Sequence, residues 1–249
     1  MQTEEYTRMF EHEDTYWWFV GRRRLALRLL AQAKQLLLGQ TKKDLKVLDI
    51  GCGTGAVLTQ LSSQHEAIGL DFSQLALEFC GKRGLENLVL ANAEQIPMED
   101  NTVDAVVALD IYEHIPNDVR AFEETFRVLR PGGHLVLSVP AFRFLWGPHD
   151  VALMHFRRYT KREMRRRLED AGFKVERISY SVFFLFPALV MTRLAAKLRR
   201  GDAKVQIAPV PNWTNRLFIK LQEAEAKWIQ RTGGFPWGSS VVAVAKKPT

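Results

Sequence analysis

The middle of the chain alternates between short apolar runs and longer segments in which apolar residues recur every three or four positions. A short continuous apolar run is typical of a strand buried on both faces, whereas the longer spacing is typical of a helix. Strands that alternate with helices favour a parallel sheet covered by helices on both faces. The predicted strands are 46–50, 66–71, 87–91, 103–110 and 134–140, and the predicted helices are 56–64, 73–84 and 117–130.

The regions on either side of this alternation have other patterns. On the N-terminal side, an aromatic cluster at 16–20 precedes a helix that carries Leu25, Leu29 and Leu36. Pro-Gly-Gly at 131–133 is expected to end the helix before it. On the C-terminal side we expect a loop over 141–160, a strongly basic helix over 160–172, a sixth strand over 174–184 and a seventh over 239–247.

The insert between the last two strands admits two interpretations. Its ten consecutive apolar residues, 182–191, fall short of the roughly 18 that a membrane span needs. A basic amphipathic helix beside such a run is typical of an interfacial membrane anchor, but also of a helical cap over a substrate pocket. Pro187 starts a helix to about Arg200, with Arg193, Lys197 and Arg200 on one face and Val190, Met191, Leu194 and Leu198 on the other; a second helix aligns Leu217, Leu221, Ala224 and Trp228.

The net charge and the cysteine content indicate which kinds of partner and which cellular compartment to expect for the protein. Lys and Arg total 35 against 28 for Asp and Glu, so the net charge of +7 favours anionic partners such as nucleic acid, a membrane surface or a phosphorylated substrate. Cys52 and Cys80 are too few for a disulfide framework and are interpreted as reduced thiols. The acidic, polar N-terminus resembles no targeting peptide. We therefore expect a cytoplasmic protein, with peripheral binding at the inner face of the membrane as the alternative.

The sequence GCGTG at 51–55 follows the first strand and is a candidate ligand-binding turn. It lacks the Gly-Lys-Ser/Thr ending of a phosphate-binding P-loop. Its third glycine also comes one residue too early for a dinucleotide fingerprint. The turn therefore predicts a nucleotide-like ligand that differs from both of those classes.

Asp49 distinguishes among the remaining ligands, because its carboxylate precedes the turn and would repel a pyrophosphate. A ligand with an ammonium and a sulfonium would be attracted instead, and S-adenosylmethionine carries both and has no phosphate. Asp71, at the end of the second strand, can accept both ribose hydroxyls, as the acid at that place does in dinucleotide folds. Glycines remove the Cβ atoms that would keep the backbone away from the ligand.

Four motifs in order resemble the class I SAM-dependent methyltransferases, most closely the branch of the ubiquinone and menaquinone biosynthesis enzymes. The resemblance implies a Rossmann-like α/β fold, a seven-stranded sheet whose strand 7 is antiparallel and which has helices on both faces. It is compatible with a single domain over 1–249, made of an N-terminal helical segment (1–43) that acts as a lid, a cofactor-binding core (44–180), a helical insert (181–238) and a final strand (239–249). The motifs are VLDIGCGTG (47–55), GLDFS (69–73), ANAEQIPMEDNTVDAVVALDIYEHI (91–115) and RVLRPGGHLVLSVP (127–140).

The same resemblance implies where S-adenosylmethionine binds. Asp71 would hold the ribose, Phe72 would pack against the adenine, and the methyl group would emerge beside Leu109 and Asp110. The family's usual Gly-Asp-Ala-Glu at the adenine amino group is Ala91-Asn92-Ala93-Glu94 here, so Asn92 would accept through its carbonyl oxygen without bringing a charge. The residues at the methionine end would be Asp49, Gly51, Gly53 and Gly55.

The sequence DIYEHI (110–115) could carry additional chemistry. In some quinone-pathway O-methyltransferases, acids and a histidine at this spacing are associated with a divalent cation, and Asp110, Glu113 and His114 repeat the spacing. Alternatively, Glu113 and His114 only orient the turn after the fourth strand. We predict no metal at this sequence.

The loop after strand 5 is expected to face the methyl acceptor. It supplies the candidate bases His149, Asp150 and His155, because a histidine titrates near neutral pH. At the N-terminus, Tyr16 and Trp17 are candidate substrate contacts or core anchors, and Arg22 would meet the methionine carboxylate. Further candidate substrate contacts in the loop are Arg157, Arg158 and Tyr159.

The predicted activity is methyl transfer from S-adenosylmethionine to an oxygen or carbon of a small-molecule or lipid-linked acceptor. One alternative is an RNA methyltransferase, because the helix at 161–172 carries Lys161, Arg162, Arg165, Arg166 and Arg167. No RNA-binding motif accompanies that helix, so nucleic acid is the weaker prediction. Another alternative is a SAM-binding partner protein without its own turnover.

Overall fold

The computed structural model describes residues 3–38, 44–198 and 210–249. Seven strands form one sheet in the order β3-β2-β1-β4-β5-β7-β6, and only β7 runs antiparallel to its neighbours. The predicted Rossmann-like architecture is therefore confirmed. The strands are β1 (Lys46–Ile50), β2 (Glu66–Asp71), β3 (Leu88–Leu90), β4 (Val103–Leu109), β5 (Leu129–Pro140), β6 (Lys174–Ser181) and β7 (Ser240–Lys246).

Nine helices of the described residues surround the sheet and give it two apolar layers. Because successive side chains of a strand point to opposite faces, Val106 packs in one layer with Phe122, whereas Val107 packs in the other with Leu29 and Ile229. The α-helices are α1 (Thr3–His12), α2 (Trp17–Leu38), α3 (Ala56–Ser62), α4 (Gln74–Lys82), α5 (Asp118–Val128), α6 (Pro148–Ala152), α7 (Lys161–Asp170), α8 (Phe186–Leu198) and α9 (Asn212–Thr232).

Three predicted boundaries are wrong. Helix α5 ends at Val128, and 131–133 extend β5 rather than stopping a helix, because the Gly132 N–H donates to the Lys247 carbonyl next to β7 (2.9 Å). Strand β6 ends at Ser181, since Val182 adopts a left-handed backbone (φ 61°). The predicted loop after β5 contains a short 3₁₀ helix, Arg143–Leu145, as well as α6.

The N-terminal segment contains two helices where the sequence indicated one. Helix α1 packs on α4, where Tyr6 is buried with Ala76 and Phe79. Helix α2 packs on α9 and on β5. The predicted basic face of α8 cannot be described: the side chains of Arg193 and Lys197, and all of Arg200, lie outside the described residues. No helix in the described ranges combines the length and apolar character required to cross a bilayer.

Candidate active site

The glycine-rich turn joins β1 to α3 with a backbone that ordinary side chains rarely adopt. Gly51 and Gly53 have φ angles of 70° and 55°. A Cβ atom on Gly51 would lie 2.7 Å from the Ile111 side chain, and one on Gly53 would lie 2.8 Å from Cε of Met9 in α1. The turn is therefore enclosed by α1 on one side and by the residues after β4 on the other. A side chain at Gly51 would collide with Ile111, and one at Gly53 would require the end of the Met9 side chain to move and would be strained by the positive φ.

Asp49 lies beneath this turn and is almost completely buried. Its Oδ2 has no hydrogen-bond partner within the described protein. Burial, together with the nearby Asp71 carboxylate, raises the pKa of Asp49 to about 8. The side chain is therefore mostly protonated at neutral pH until a cation arrives, and the charge on which the sequence argument relied develops when a cationic ligand binds.

Asp71 at the end of β2 is fixed by two backbone donors. The Gly53 N–H donates to its Oδ2 (3.0 Å), and the Ser73 N–H donates to its Oδ1 (2.9 Å). Burial raises the pKa of Asp71, and those two N–H groups partly oppose the rise. The carboxylate thus ties the glycine turn to the start of α4, and the next residue, Phe72, is exposed beside it.

A buried ionic cluster attaches the N-terminal segment to the turn. The Thr54 hydroxyl (2.5 Å) and the Arg83 guanidinium (2.8 Å) both donate to Glu13 Oε1. Arg83 also donates to the Thr54 carbonyl (2.8 Å), and Arg23 donates to the Glu13 carbonyl (2.8 Å). These contacts join the segment between α1 and α2 to the glycine turn, and the lid role of the N-terminal segment stays a prediction.

Arg22 and Asp110 form an ion pair where β4 ends. Asp110 also accepts from the Ser138 hydroxyl on β5 (2.8 Å). Burial alone would raise the pKa of Asp110, but Arg22 and Ser138 outweigh it, so the pKa is below its usual range. Arg22 is therefore neutralised by a residue of the sheet, although its buried Nε has no partner among the described residues.

One cavity of about 790 Å³ runs from the glycine turn to the loop after β5. That volume lies within the range of small-molecule sites. Aromatic side chains of the N-terminal segment form one wall and loop residues form the opposite wall. Predicted site residues that line it are Tyr16, Trp17, Arg22, Asp49, Gly51, Gly53, Asp71, Phe72, Leu109, Asp110, His149, His155 and Arg158.

The loop after β5 is organised around Asp150, which is completely buried. Asp150 Oδ1 accepts from His155 Nδ1 (2.9 Å) and from Arg158 Nε (2.7 Å), and Arg158 Nη2 reaches Oδ2 (3.1 Å). Burial would raise the pKa of Asp150, but the hydrogen bonds from His155 and Arg158 hold it well below its usual value. Since the carboxylate accepts, Nδ1 of His155 carries a proton, and Nε2 is left as the acceptor nitrogen.

Glu113 and His114 lie beside the hydrogen-bonded pair of Asp150 and His155, at the end of the cavity. Neither oxygen of the fully buried Glu113 carboxyl has a hydrogen-bond partner within the described protein, and burial raises its pKa well above the usual range. Burial and the neighbouring His155 lower the pKa of His114 to about 4. Potential ligand atoms of Glu113, His114 and His155 all lie within 4.8 Å of one another, whereas Asp110 of the predicted triplet is paired with Arg22.

Several predicted site residues lie away from the cavity. Tyr159 is buried in the core, where its hydroxyl donates to Asp118 Oδ2 (2.9 Å). Arg157 pairs with the same Asp118 (2.8 Å). Glu94 accepts from the Asn117 N–H (2.8 Å) and reinforces the segment after β3. The predicted residues outside the cavity lining are Gly55, Asn92, Ala93, Glu94, Asp150, Arg157 and Tyr159.

Sequence reasoning did not identify the contribution of α1. Tyr6, Met9 and Glu13 line the cavity. The available signal was weak: an acidic, polar segment with Tyr6, Met9 and Phe10 at helical spacing. Its packing depends on Arg83, which is distant in sequence, so local periodicity could not reveal it.

The residues present fit S-adenosylmethionine. The unpaired, buried Oδ2 of Asp49 provides an acceptor for an ammonium group, and the enclosed glycines allow close backbone approach. Asp71 ends β2, where the ribose is expected, and the exposed Phe72 ring beside it is available to an adenine. Asn92 already accepts the Glu94 N–H through its carbonyl oxygen (2.9 Å), so an adenine amino group would have to share that oxygen.

Known proteins resemble the chain in the same region. A family model described as "Methyltransferase domain" matches residues 48–137. A probable S-adenosylmethionine-dependent methyltransferase of Mycolicibacterium smegmatis is 33% identical over 135 residues, 52% of this chain and 52% of that protein. A probable tRNA methyltransferase 9B of Mus musculus is 35% identical over 111 residues, 43% of this chain and 24% of that one. The chain thus spans about half or less of these relatives.

A solved structure shares the fold over nearly the whole length. It is a Haloferax volcanii protein bound to the Trm112 methyltransferase activator. The TM-score is 0.59 at 19% identity, with 99% of this chain and 94% of that chain covered. The aligned region therefore extends beyond the strands of the core to the N-terminal helices and to the helical insert before β7.

Proposed function

The chain belongs to the class I SAM-dependent methyltransferase superfamily, and from that premise we propose that it methylates an oxygen or carbon of a small-molecule or lipid-linked acceptor. One observation carries the proposal. The residues suited to S-adenosylmethionine and the Asp150-oriented His155 line the two ends of a single, mainly apolar cavity. Cofactor and acceptor can therefore meet without crossing bulk water.

The cofactor end would hold S-adenosylmethionine through charge and shape. Asp49 would ionise against the ammonium group, Asp71 would accept from the ribose hydroxyls, and Gly51 and Gly53 would let the backbone approach. Arg22 would donate from its unpaired Nε to the carboxylate while Asp110 holds the rest of the guanidinium. S-adenosylmethionine supplies an electrophilic methyl group on a cationic sulfur.

His155 would remove the proton of the acceptor. When the acceptor oxygen or carbon takes the methyl group, Nε2 of His155 would receive the proton that the acceptor loses. Asp150 keeps the ring oriented and stabilises the imidazolium that forms, and Arg158 holds Asp150 in place. The aromatic lining of the cavity, which includes Trp17 and Trp18, would exclude water from the reacting groups. Methyl transfer depends mainly on a dry site and on alignment of the acceptor with the methyl group.

The test is methyl transfer from labelled S-adenosylmethionine into a lysate fractionated into lipid, small-molecule, RNA and protein pools. We expect label in the lipid or small-molecule pool with the native protein and none with Asp71→Ala. Glu66→Ala, at the exposed start of β2, is the matched control and should retain activity. Cofactor binding without label in any pool would contradict turnover and support the non-catalytic alternative.

RNA methylation is a second candidate, favoured by the likeness to a probable tRNA methyltransferase. The charges of α7 oppose it, because Arg165 and Arg166 pair with Glu169 and Asp170 of the same helix and Arg167 pairs with Asp118. Label in the RNA pool, lost together with RNA affinity as salt is added, would establish this candidate in place of the first.

A further inference from the structure

Helix α9 departs in part from the usual arrangement of an amphipathic surface helix. It buries Gln222 and Glu225 together with Ala226 and Ile229, whereas Trp213 is 69% exposed and Trp228 is 53% exposed. Burying an amide and a carboxyl while leaving two indole rings in water is unfavourable unless something else covers the rings. This arrangement suggests that the outward side of α9 has a binding partner.

The outward side of α9 is uniformly basic between its apolar residues. Each member lies three, four or seven residues from another member, so they share one side of the helix. The helix has two acids: Glu223 pairs with Arg24, and Glu225 is buried and accepts from the Phe184 N–H (2.8 Å). We call this surface the α9 face, and it comprises Trp213, Arg216, Leu217, Lys220, Lys227, Trp228 and Arg231.

An aromatic cluster extends the α9 face at its C-terminal end. The Trp228 ring lies 6.3 Å from that of Phe235, which stacks on Phe183 at 4.5 Å. Phe183 in turn stacks on Trp237 at 5.4 Å, and Trp237 is half exposed. Exposed indole rings therefore occur along the full length of the surface, and tryptophan is the residue that concentrates at membrane–water interfaces.

The charges of the α9 face differ from those of the other basic helix. No ion pair within the described parts of the chain involves Arg216, Lys220, Lys227 or Arg231. On α7, by contrast, three of the four arginines (Arg165, Arg166 and Arg167) are paired as described above. Lysine and arginine around exposed tryptophan and leucine match a surface that offers both anionic headgroups and an apolar layer. We propose that the α9 face docks the protein on the surface of an anionic lipid bilayer.

Docking there would place the cavity next to the bilayer. Trp17 lines the cavity and packs its ring 5.3 Å from that of Phe218 in α9, and its backbone N–H donates to Asn215 Oδ1 (2.8 Å). Leu189 of α8 also lines the cavity. The docking proposal concerns binding alone and holds whether or not the acceptor is a lipid.

The experiment is flotation of the full chain with phosphatidylcholine vesicles with and without phosphatidylglycerol. We expect the protein to float with the phosphatidylglycerol vesicles at low salt. Lys220→Gln/Lys227→Gln should weaken partitioning by about thirtyfold, given the usual gain per basic residue at a membrane surface. Trp213→Ser/Trp228→Ser should weaken it by about tenfold or more, and added salt should affect this variant as it does the native protein.

Arg162→Gln/Arg166→Gln on α7 is the matched control, because it removes the same charge from another exposed helix. We expect partitioning within about twofold of the native value, and thermal unfolding and S-adenosylmethionine affinity of all variants establish that they fold. Failure of the native protein to float, or equal weakening by the α7 control, overturns the proposal. Absence of flotation with a dimer that Trp213→Ser/Trp228→Ser dissociates would instead assign the surface to a second copy of the chain.

Discussion

The two ends of the cavity are built in different ways. The cofactor end consists of strand ends that are adjacent in the sheet, so Asp49 on β1 and Asp71 on β2 follow directly from the parallel pairing of those strands. The acceptor end combines Glu113 after β4 with His155 and Asp150 from the loop after β5. The first end is determined by sheet topology, and the second by side-chain contacts within one loop.

This difference has a consequence for how each end tolerates change. At the proposed cofactor end the backbone itself would meet the ligand, so added side-chain volume should severely weaken cofactor binding. At the acceptor end the backbone is not pressed against a ligand, and function depends on a chain of hydrogen bonds from Arg158 through Asp150 to His155. Loss of one such bond should lower the rate while the affinity for cofactor is retained.

The largest expected effect is at the glycine turn. Gly53→Val would place side-chain atoms against Met9 at a backbone φ of 55°, so we expect S-adenosylmethionine affinity to fall by about 100-fold or more, as measured by calorimetry. Gly84→Val is the matched control, because Gly84 also has a positive φ (76°) but has open space around it. If both variants bind the cofactor equally, enclosure of the turn is not what makes glycine necessary.

The second effect tests the acceptor end. His155→Gln should lower kcat by about 100-fold or more with S-adenosylmethionine affinity unchanged, because proton removal by a positioned base contributes on that scale. Asp150→Asn should follow in the same direction. His149→Gln is the control, since His149 lines the same cavity, whereas His155 is the histidine whose Nδ1 bonds Asp150. A similar loss of kcat in the His149 variant would contradict the assignment of the base.

The third effect concerns pH at the cofactor end. Burial and Asp71 raise the pKa of Asp49 to about 8, and a bound ammonium would lower it, so binding below pH 8 must release a proton. We expect affinity for S-adenosylmethionine to fall as pH falls below 8, by at most about tenfold per pH unit. Calorimetry in buffers of different ionisation enthalpy measures the proton, and Asp49→Asn should bind weakly with no such proton release.

The smallest effect is expected from Glu113→Gln. Because burial raises the Glu113 pKa well above its unfolded value, the folded protein retains this proton to higher pH than the unfolded chain does, and the free energy of unfolding therefore declines as the pH rises above the unfolded pKa. A glutamine at this position does not titrate, so its contribution to the free energy of unfolding does not decline. The variant should match the native protein near pH 5 and become more stable than it as the pH rises, by at most about 1.4 kcal/mol per pH unit. If the variant and the native protein have equal denaturant midpoints both near pH 5 and at higher pH, Glu113 is ionised in the folded protein and the prediction is wrong.

Sequence patterns identified the sheet and the glycine turn because both depend on local order. Apolar runs define β1 and β4, and Asp49 and Asp71 occur at fixed places relative to strand ends. The rest depends on distant partners. Glu13 is positioned by its hydrogen bond from Arg83, and Tyr159 is held in the core by its hydrogen bond to Asp118. Neither pairing can be read from the local sequence. Similarly, the spacing of Leu217 and Trp228 indicated a common stripe, but only packing shows that the stripe faces outward.

The hydrogen bonds of Asp71 to Gly53 and Ser73 also have an entropic consequence. Immobilising a side chain on ligand binding usually costs about 0.5–1.5 kcal/mol in lost rotamers. Here the fold has frozen that rotamer before any ligand arrives, and each carboxylate oxygen retains a lone pair for a ribose hydroxyl. The rotamer entropy of this side chain is lost when the protein folds, so its loss does not weaken ligand binding.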